Sequence, residues 1–219
     1  MDLQITGKHV LITGGSGGIG YACAKEFLNE GCVLSLAGRD TTELNKARKT
    51  LDPDGGRVST FVVELTDPAS ALQTIERAEQ AHGPVDVLVN AAGAARQKPF
   101  AELTPEDWRT AIDSKFLTYV NMMDPLVKRM AARGTGAIVN IIGMGGKLPI
   151  TTHLTGGSAN AALMLATAGL AMAYAPHGVR INGINPTKTA TERVAHNAEA
   201  QARQNNISIE EVLEKAIKE

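Results

Sequence analysis

The sequence predicts an α/β fold, a doubly wound parallel sheet with helices on both faces. Six short runs rich in aliphatic and β-branched residues alternate with longer segments of helical periodicity. Each short run is apolar almost throughout, which is typical of strands covered on both faces and therefore of a parallel sheet. A glycine-rich segment directly after the first run matches the loop that opens Rossmann-like folds.

The strands are expected at KHVLIT, CVLSLA, RVSTFVVE, VDVLVN, GAIVNII and VRINGI. Helices are expected at GIGYACAKEFLNE, TELNKARKTL, ASALQTIERAEQA and WRTAIDSKFLTYVNMMDPLVKRMAA. Thr104 is a suitable N-cap for the last of these, with Pro105 at the first helical position and Asp107 in the first turn. Pro125 is expected to kink or interrupt that helix.

Composition restricts the classes of function. The 219 residues carry a net charge of -1 and fit a single domain, residues 1–219. No basic field is present to attract nucleic acid or an anionic membrane, and no apolar run reaches the length of a membrane span. Cys23 and Cys32 are too few for a disulfide framework, and the histidines lack metal-ligand spacing, so no metal site is predicted. A soluble, cytoplasmic protein is expected.

The segment GGSGGIG lies between the first predicted strand and an amphipathic helix. In that context the loop amides and the helix N-terminus are expected to face a diphosphate, while the glycines permit its close approach. Two registers fit: G-x-G-x-x-G starting at Gly15, and T-G-x-x-x-G-x-G formed by Thr13, Gly14, Gly18 and Gly20. Both predict a dinucleotide-binding loop.

The second register resembles the short-chain dehydrogenase/reductase family, and three other segments agree with it. VDVLVNAAG is similar to that family's Asn-Asn-Ala-Gly segment, with Ala91 in place of the second Asn. VVELTD is similar to its adenine-side segment, with Glu64 where Asp is usual, and VRINGINPTKTAT resembles the segment after the sixth strand. The resemblance covers nearly the whole chain.

The resemblance implies a nicotinamide dinucleotide as cofactor. A basic residue after the second strand pairs with a 2′-phosphate, so Arg39 in SLAGRD favours NADP, with NAD as the alternative. The implied cofactor-binding residues are Gly14, Ser16, Gly18, Ile19, Gly20, Arg39, Glu64, Leu65, Asn90, Ala91, Gly93, Pro186, Thr189 and Thr191.

The resemblance breaks at the four catalytic positions of the family, which carry Asn, Ser, Tyr and Lys. This chain has Lys115 at the Asn position, Gly143 at the Ser position, Gly156 at the Tyr position and Asn160 at the Lys position. Tyr174 does not replace the missing acid, because at 1.5 Å per residue it lies roughly 27 Å along the same helix from Gly156.

Three residues are candidates for the missing roles. Lys115 is expected on the inward side of the long helix, where its charge replaces that of the absent lysine; a solvated surface lysine is the alternative. His153 titrates near neutrality and precedes the vacant Tyr position by three residues, although a loop histidine without a role is also possible. Asn160 retains the ability to hydrogen-bond a ribose hydroxyl.

The main hypothesis is an NAD(P)-binding oxidoreductase that acts on an alcohol or carbonyl group of a small molecule with a non-standard proton donor. A catalytically silent dinucleotide-binding protein with a regulatory or scaffolding role is the alternative, and elimination or dehalogenation is a third reading. By analogy with the family, a homodimer or homotetramer is expected. The usual final helix and strand of the family are not recognisable in this sequence.

Overall fold

The computed structural model describes residues 3–93, 97–187, 189 and 193–212. Six strands form one parallel sheet in the order β3-β2-β1-β4-β5-β6. They are β1 His9–Thr13, β2 Val33–Gly38, β3 Val58–Val62, β4 Val87–Asn90, β5 Gly136–Ile141 and β6 Val179–Ile184. All six predicted strands are therefore confirmed, and the strand order is that of a doubly wound fold.

The helices fill the connections between the strands. They are α1 Gly18–Asn29, α2 Thr41–Leu51, α3 Pro68–His82, α4 Pro105–Ala111, α5 Thr118–Arg133, α6 Leu154–Tyr174 and α7 Arg193–Asn205. Buried side chains of α3, α5 and α6 form one hydrophobic core with one face of the sheet, and those of α1 and α2 form a second core with the other face. The sheet is thus covered on both sides, which explains its apolar strands.

Short polar side chains begin several of these helices. Asp40 accepts hydrogen bonds from the amides of Thr42 and Glu43 at the start of α2, and Asp67 caps α3 in the same way. At α4, Thr104 and Asp107 form a reciprocal capping box. The predicted start of the long helix is confirmed.

That long helix is interrupted, but not at the predicted place. Residues Ile112–Leu117 form a π-helical turn between α4 and α5, whereas Pro125 lies inside α5, which continues through it. A π turn accommodates one extra residue and is frequent at functional sites. It contains Lys115, so the irregularity falls on a candidate residue.

The α6 segment differs from the expectation that no apolar run is long enough to span a membrane. Leu154–His177 has a mean hydropathy of 1.3 and meets the length and composition of one membrane-spanning helix. Here its inner residues, Leu163 among them, pack into the core beside α5. Its outer face is apolar and exposed, with Leu165 and Met172 77% and 80% accessible.

Candidate functional site

The candidate site lies at the carboxyl ends of the strands, where the strand order reverses between β1 and β4. In such sheets the crevice for ligands forms at this point. A buried polar ladder crosses it: the hydroxyl of Thr13 donates to Asn90 Oδ1 at 3.4 Å, and Asn90 Nδ2 donates to Asn140 Oδ1 at 3.0 Å. Asn140 Nδ2 in turn donates to the hydroxyl of Thr167 on α6 at 2.9 Å. The ladder joins β1, β4, β5 and α6 at one edge.

The predicted phosphate loop turns sharply between β1 and α1. Gly14 has φ +68°, and a Cβ there would lie 2.9 Å from the amide nitrogen of Ala92. A Cβ on Gly20 would overlap the carbonyl of Gly14, so both positions require glycine. Helix α1 begins at Gly18 without a side-chain cap, unlike α2, α3 and α4. Its first amides have no intrahelical acceptors and suit an anion such as a diphosphate.

The end of β2 lies beside this loop. A Cβ on Gly38 would be 3.7 Å from the Ser16 hydroxyl, and Arg39 follows it as an exposed residue. The neighbouring Asp40 uses its carboxylate to cap α2. The exposure of Arg39 also agrees with the alternative of a solvated surface charge beside Asp40, so its pairing with a 2′-phosphate stays a prediction.

The adenine-side segment adopts a tight turn after β3. One carboxylate oxygen of Glu64 accepts hydrogen bonds from the amide and hydroxyl of Thr66, at 3.2 and 2.9 Å. The carbonyl of buried Leu65 accepts from Asn121 Nδ2 at 2.8 Å, which ties this turn to α5.

The remaining predicted cofactor residues occupy the same edge of the sheet. Ile19 packs partly buried against the α1 core, and Ala91 and Gly93 follow β4. The Ala91 amide donates to the Thr13 hydroxyl. After β6, the Pro186 carbonyl accepts from Met144, Thr189 is exposed, and Thr191 lies outside the described residues.

At the vacated Ser position the backbone itself is altered. Gly143 has φ +124°, a conformation that L side chains rarely adopt, and a Cβ there would lie 3.2 Å from Asn160 Nδ2. Asn160, 4% accessible, therefore fills the space beside the loop that follows β5. The next glycines pack on α6 as well, since a Cβ on Gly146 would lie 2.7 Å from the Ala161 amide.

Lys115 extends inward from the π turn and is only 8% accessible, so the alternative of a solvated lysine is wrong. Its ammonium donates to the Tyr119 hydroxyl at 2.8 Å and to the carbonyl of Ile141, the last residue of β5, at 3.0 Å. The aliphatic chain passes beneath Gly93, where a Cβ would lie 3.1 Å from Lys115 Cδ. A positive charge is thus held between β4 and β5.

His153 lies at the N-terminal end of α6, against the same loop. A Cβ on Gly145 would be 3.1 Å from its Cδ2 and 3.7 Å from Asn160 Nδ2. Burial, and then the charge of Lys115, lower the pKa of His153, so its imidazole is neutral at pH 7. Among the described residues, His153 Nδ1 and Asn160 Oδ1 are buried without hydrogen-bond partners. The structure brings the three candidates Lys115, His153 and Asn160 around one loop.

Sequence reasoning missed Tyr119 and the Ile141 carbonyl. Tyr119 is 1% accessible and donates its hydroxyl proton to the Ile141 carbonyl at 2.6 Å. Its position four residues after Lys115 was the available signal, because such residues are neighbours on a helix. The carbonyl of Ile141 is a backbone group, so the residue type gives no indication of its role.

The geometry agrees with comparisons to known proteins. Residues 8–202 match the family of short chain dehydrogenases. The chain is 30% identical over 189 residues to gluconate 5-dehydrogenase of Gluconobacter oxydans, covering 86% of this chain and 74% of the relative.

Solved structures are similar over much of the chain. L-sorbose reductase from Gluconobacter frateurii, complexed with NADPH and L-sorbose, has a TM-score of 0.88 at 29% identity and covers 99% of this chain and 82% of that one. An NADPH-bound short chain oxidoreductase from Pseudomonas aeruginosa, described as containing an atypical catalytic centre, has a TM-score of 0.77 at 29% identity. It covers 81% of this chain and 70% of that one.

Sequence match, strand order and phosphate loop lead to the same assignment. The family match extends from the start of β1 into α7 and so includes every strand of the sheet. The chain therefore belongs to the short-chain dehydrogenase/reductase family of oxidoreductases.

Proposed function

We propose that the protein is an NADP-dependent oxidoreductase that interconverts an alcohol and a carbonyl group, with Lys115 in place of the usual tyrosine acid. The observation that carries the proposal is the buried ammonium of Lys115, held at the end of β5 beside the vacated Ser position. Its burial rather than its mere presence supports a role, because a buried lysine is uncommon without a partner or a function.

The cofactor is expected to rest on residues whose geometry fits it. The glycine loop from Gly14 to Gly20 and the uncapped start of α1 suit the diphosphate, and Arg39 suits a 2′-phosphate. Asn90, Ala91 and Gly93 lie at the carboxyl end of β4, where the strand order reverses. When bound, the nicotinamide supplies or accepts the hydride.

Lys115 is expected to act on the substrate oxygen. During carbonyl reduction that oxygen gains negative charge, and an ammonium in a site of low water content stabilises it. Lys115 then donates a proton, so that the carbonyl, a hydride and a proton give the alcohol, and the amine recovers its proton from solvent. In the direction of alcohol oxidation, the neutral amine accepts that proton.

Asn160 and His153 are expected to bind rather than to transfer protons. Each has a buried polar atom without a hydrogen-bond partner among the described residues, and an unpaired buried group is costly unless a ligand satisfies it. His153 is neutral at pH 7 because burial and the charge of Lys115 lower its pKa, so it offers one donor and one acceptor. Both side chains suit substrate or ribose hydroxyls.

A small polyhydroxylated molecule is the proposed substrate class. The relatives named above act on gluconate and L-sorbose, both rich in hydroxyl groups. The loop before α6 carries polar side chains that suit such a ligand: Thr152 donates to Gln97 at 3.0 Å, and Gln204 of α7 donates to Thr151 at 2.8 Å. These hydrogen bonds join the loop before α6 to the segment that contains Gln97 and to α7.

The test combines binding and turnover. NADPH is titrated against the purified protein by nicotinamide fluorescence, and NADPH oxidation is then followed at its absorbance band with a panel of ketoses and sugar-derived ketones. Lys115→Met is expected to lower kcat about a hundredfold, in the range of general acid catalysis, and to leave NADPH affinity within about twofold. Lys128→Met, on the exposed side of α5, is the matched control.

The outcomes separate the hypotheses. NADPH binding without turnover by any ketone would favour the silent binding protein, and no NADPH binding would refute the oxidoreductase proposal altogether. Equal kcat in the native protein and Lys115→Met would remove Lys115 from the mechanism.

A homodimer or homotetramer is proposed as the working form. The outer face of α6 presents Ala161, Leu165, Ala168 and Met172, spaced so that they align along one side of the helix, and all are exposed. A continuous apolar stripe of this kind is typical of a helix that packs against another surface.

The predicted cytoplasmic location fits the free thiols of Cys23 and Cys32.

A further inference from the structure

We infer that Tyr119 is the positioning residue for Lys115, so that a Lys–Tyr pair on the α4–α5 helix replaces the Tyr–Lys pair that this chain lacks on α6. The inference rests on the proposed function of the same site and assigns a role to a residue outside the predicted site. It is carried by the contacts between two side chains and one carbonyl.

The three groups form a closed hydrogen-bonded triangle. Lys115 Nζ donates to Tyr119 Oη at 2.8 Å and to the Ile141 carbonyl at 3.0 Å, and Tyr119 Oη donates to the same carbonyl at 2.6 Å. The ammonium also lies 4.4 Å from the centre of the Tyr119 ring, within the range of a cation–π contact. Tyr119 therefore contacts Lys115 through both its hydroxyl and its ring.

This triangle fixes the ammonium at a useful place. Ile141 is the last residue of β5, and Gly143, at the vacated Ser position, follows two residues later. Because a lysine side chain has four rotatable bonds, an ammonium without fixed acceptors would sample many positions. The Ile141 carbonyl is fixed by the sheet, and the Tyr119 hydroxyl is fixed by α5. Together these two acceptors hold the ammonium where the loop after β5 begins.

Tyr119 does not contact the substrate in this arrangement. The residue is 1% accessible, and its hydroxyl proton is directed to the Ile141 carbonyl. Its influence on the reaction is therefore exerted through Lys115. It is a positioning residue, and Lys115 is the catalytic one.

The first test needs no substrate. Amine labelling by acetic anhydride, followed by mass spectrometry of peptides, measures the exposure of Lys115, with the exposed Lys147 as internal reference. Tyr119→Phe keeps the ring and removes the hydroxyl, and it is expected to raise the labelling rate of Lys115 about tenfold, the equivalent of one charge-assisted hydrogen bond. Tyr174→Phe, at the far end of α6, is the matched control and should leave the rate unchanged.

The second test links the pair to turnover by a double-mutant cycle of Tyr119→Phe and Lys115→Met. Tyr119→Phe alone is expected to lower kcat about tenfold with little change in KM, and to have no further effect in the Lys115→Met background. Equal effects in both backgrounds, or unchanged labelling of Lys115, would overturn the inference. Matching melting temperatures of the native protein and Tyr119→Phe exclude general unfolding as the cause.

The two proposals fail differently. If NADPH does not bind, the oxidoreductase proposal fails, while labelling still reports whether Tyr119 holds Lys115. If NADPH binds and ketones are reduced but labelling does not change, the role of Tyr119 is refuted and the proposed function stands.

Discussion

Asn160 occupies the space that a serine side chain at position 143, on the β5–α6 loop, would need. Its Nδ2 lies 3.2 Å from the position of a Cβ on Gly143, and Gly143 itself has φ +124°. The absence of serine at position 143 and the presence of asparagine at position 160 are therefore structurally linked. A side chain could return at position 143 only if both the backbone and the asparagine changed.

The first prediction is that Gly143→Ser destabilises the protein. Backbone strain at positive φ together with the close asparagine amide is expected to lower the free energy of unfolding by about 1–3 kcal/mol. Urea denaturation followed by circular dichroism measures it. Gly169→Ser on α6, where a Cβ would meet nothing within 4 Å, is the matched control and should cost well under that amount. A Gly143→Ser variant as stable as the native protein would contradict the close packing of this loop.

The second prediction concerns the choice of cofactor. Arg39→Ala is expected to weaken NADPH binding about tenfold or more and to leave NADH nearly unchanged, because only the former carries a phosphate for the guanidinium to pair with. Fluorescence titration of both nucleotides gives the ratio. Asp40→Ala removes the cap of α2, which costs about 1 kcal/mol of stability, and should not alter that ratio. Equal losses for both nucleotides in Arg39→Ala would exclude the role of Arg39.

The third prediction concerns acid stability. At the opposite edge of the sheet, His9 lies with its ring 5.3 Å from that of His82, each bonded to a serine hydroxyl. Burial lowers the pKa of both histidines below the usual value of 6.5 for an imidazole. The unfolded chain therefore takes up protons first as the pH falls, so the stabilisation is complete above about pH 6.5 and is lost below it as the pH approaches the folded-state pKa values.

The size of that loss can be measured. The free energy of unfolding is expected to fall by up to about 1 kcal/mol per pH unit below 6.5 for His9, and by less for the more exposed His82. Urea titrations between pH 7.5 and 5 test this. His9→Gln should flatten the dependence, whereas His177→Gln, at an exposed position, should not. A free energy of unfolding that is constant between pH 7.5 and 5 would refute the proposed contribution of His9 and His82.

The fourth prediction is that charge on the outer face of α6 dissociates the oligomer. Leu165→Glu is expected to raise the dissociation constant at least about tenfold, since it places a carboxylate in an apolar contact. Sedimentation velocity measures the molecular mass over a range of concentrations. Leu72→Glu, at a 40% accessible leucine on α3, is the control. Native protein that is monomeric at all concentrations would exclude the proposed assembly.

Much of the fold could be predicted from the sequence because its signals are local. Apolar runs predicted every strand, and Thr104 with Asp107 predicted the start of α4, since caps depend on neighbours in the chain. The π turn could not be predicted, because it depends on how the helix is held against the sheet. Pro125, the one visible irregularity, was a poor guide to its place.

The candidate site was predictable in its members more than in its contacts. The resemblance to the family, followed residue by residue, is what assigned Lys115, Gly143 and Asn160 to its catalytic positions. Burial of Lys115 and its bond to a strand carbonyl depend on tertiary packing, and so does the approach of Asn160 to Gly143. Tyr119 was overlooked because it matches no family motif.

The π turn at Ile112–Leu117 separates two helical registers. Deleting one residue within it would leave a regular helix whose two halves are rotated relative to each other by about 100°, the angle between successive residues. If α5 stays packed against β5, that rotation would turn α4 about the helix axis. The contacts of α4 with α6 would then change. A one-residue deletion in the turn would therefore change which side chain faces the crevice from this part of the helix, just as a point substitution at position 115 does.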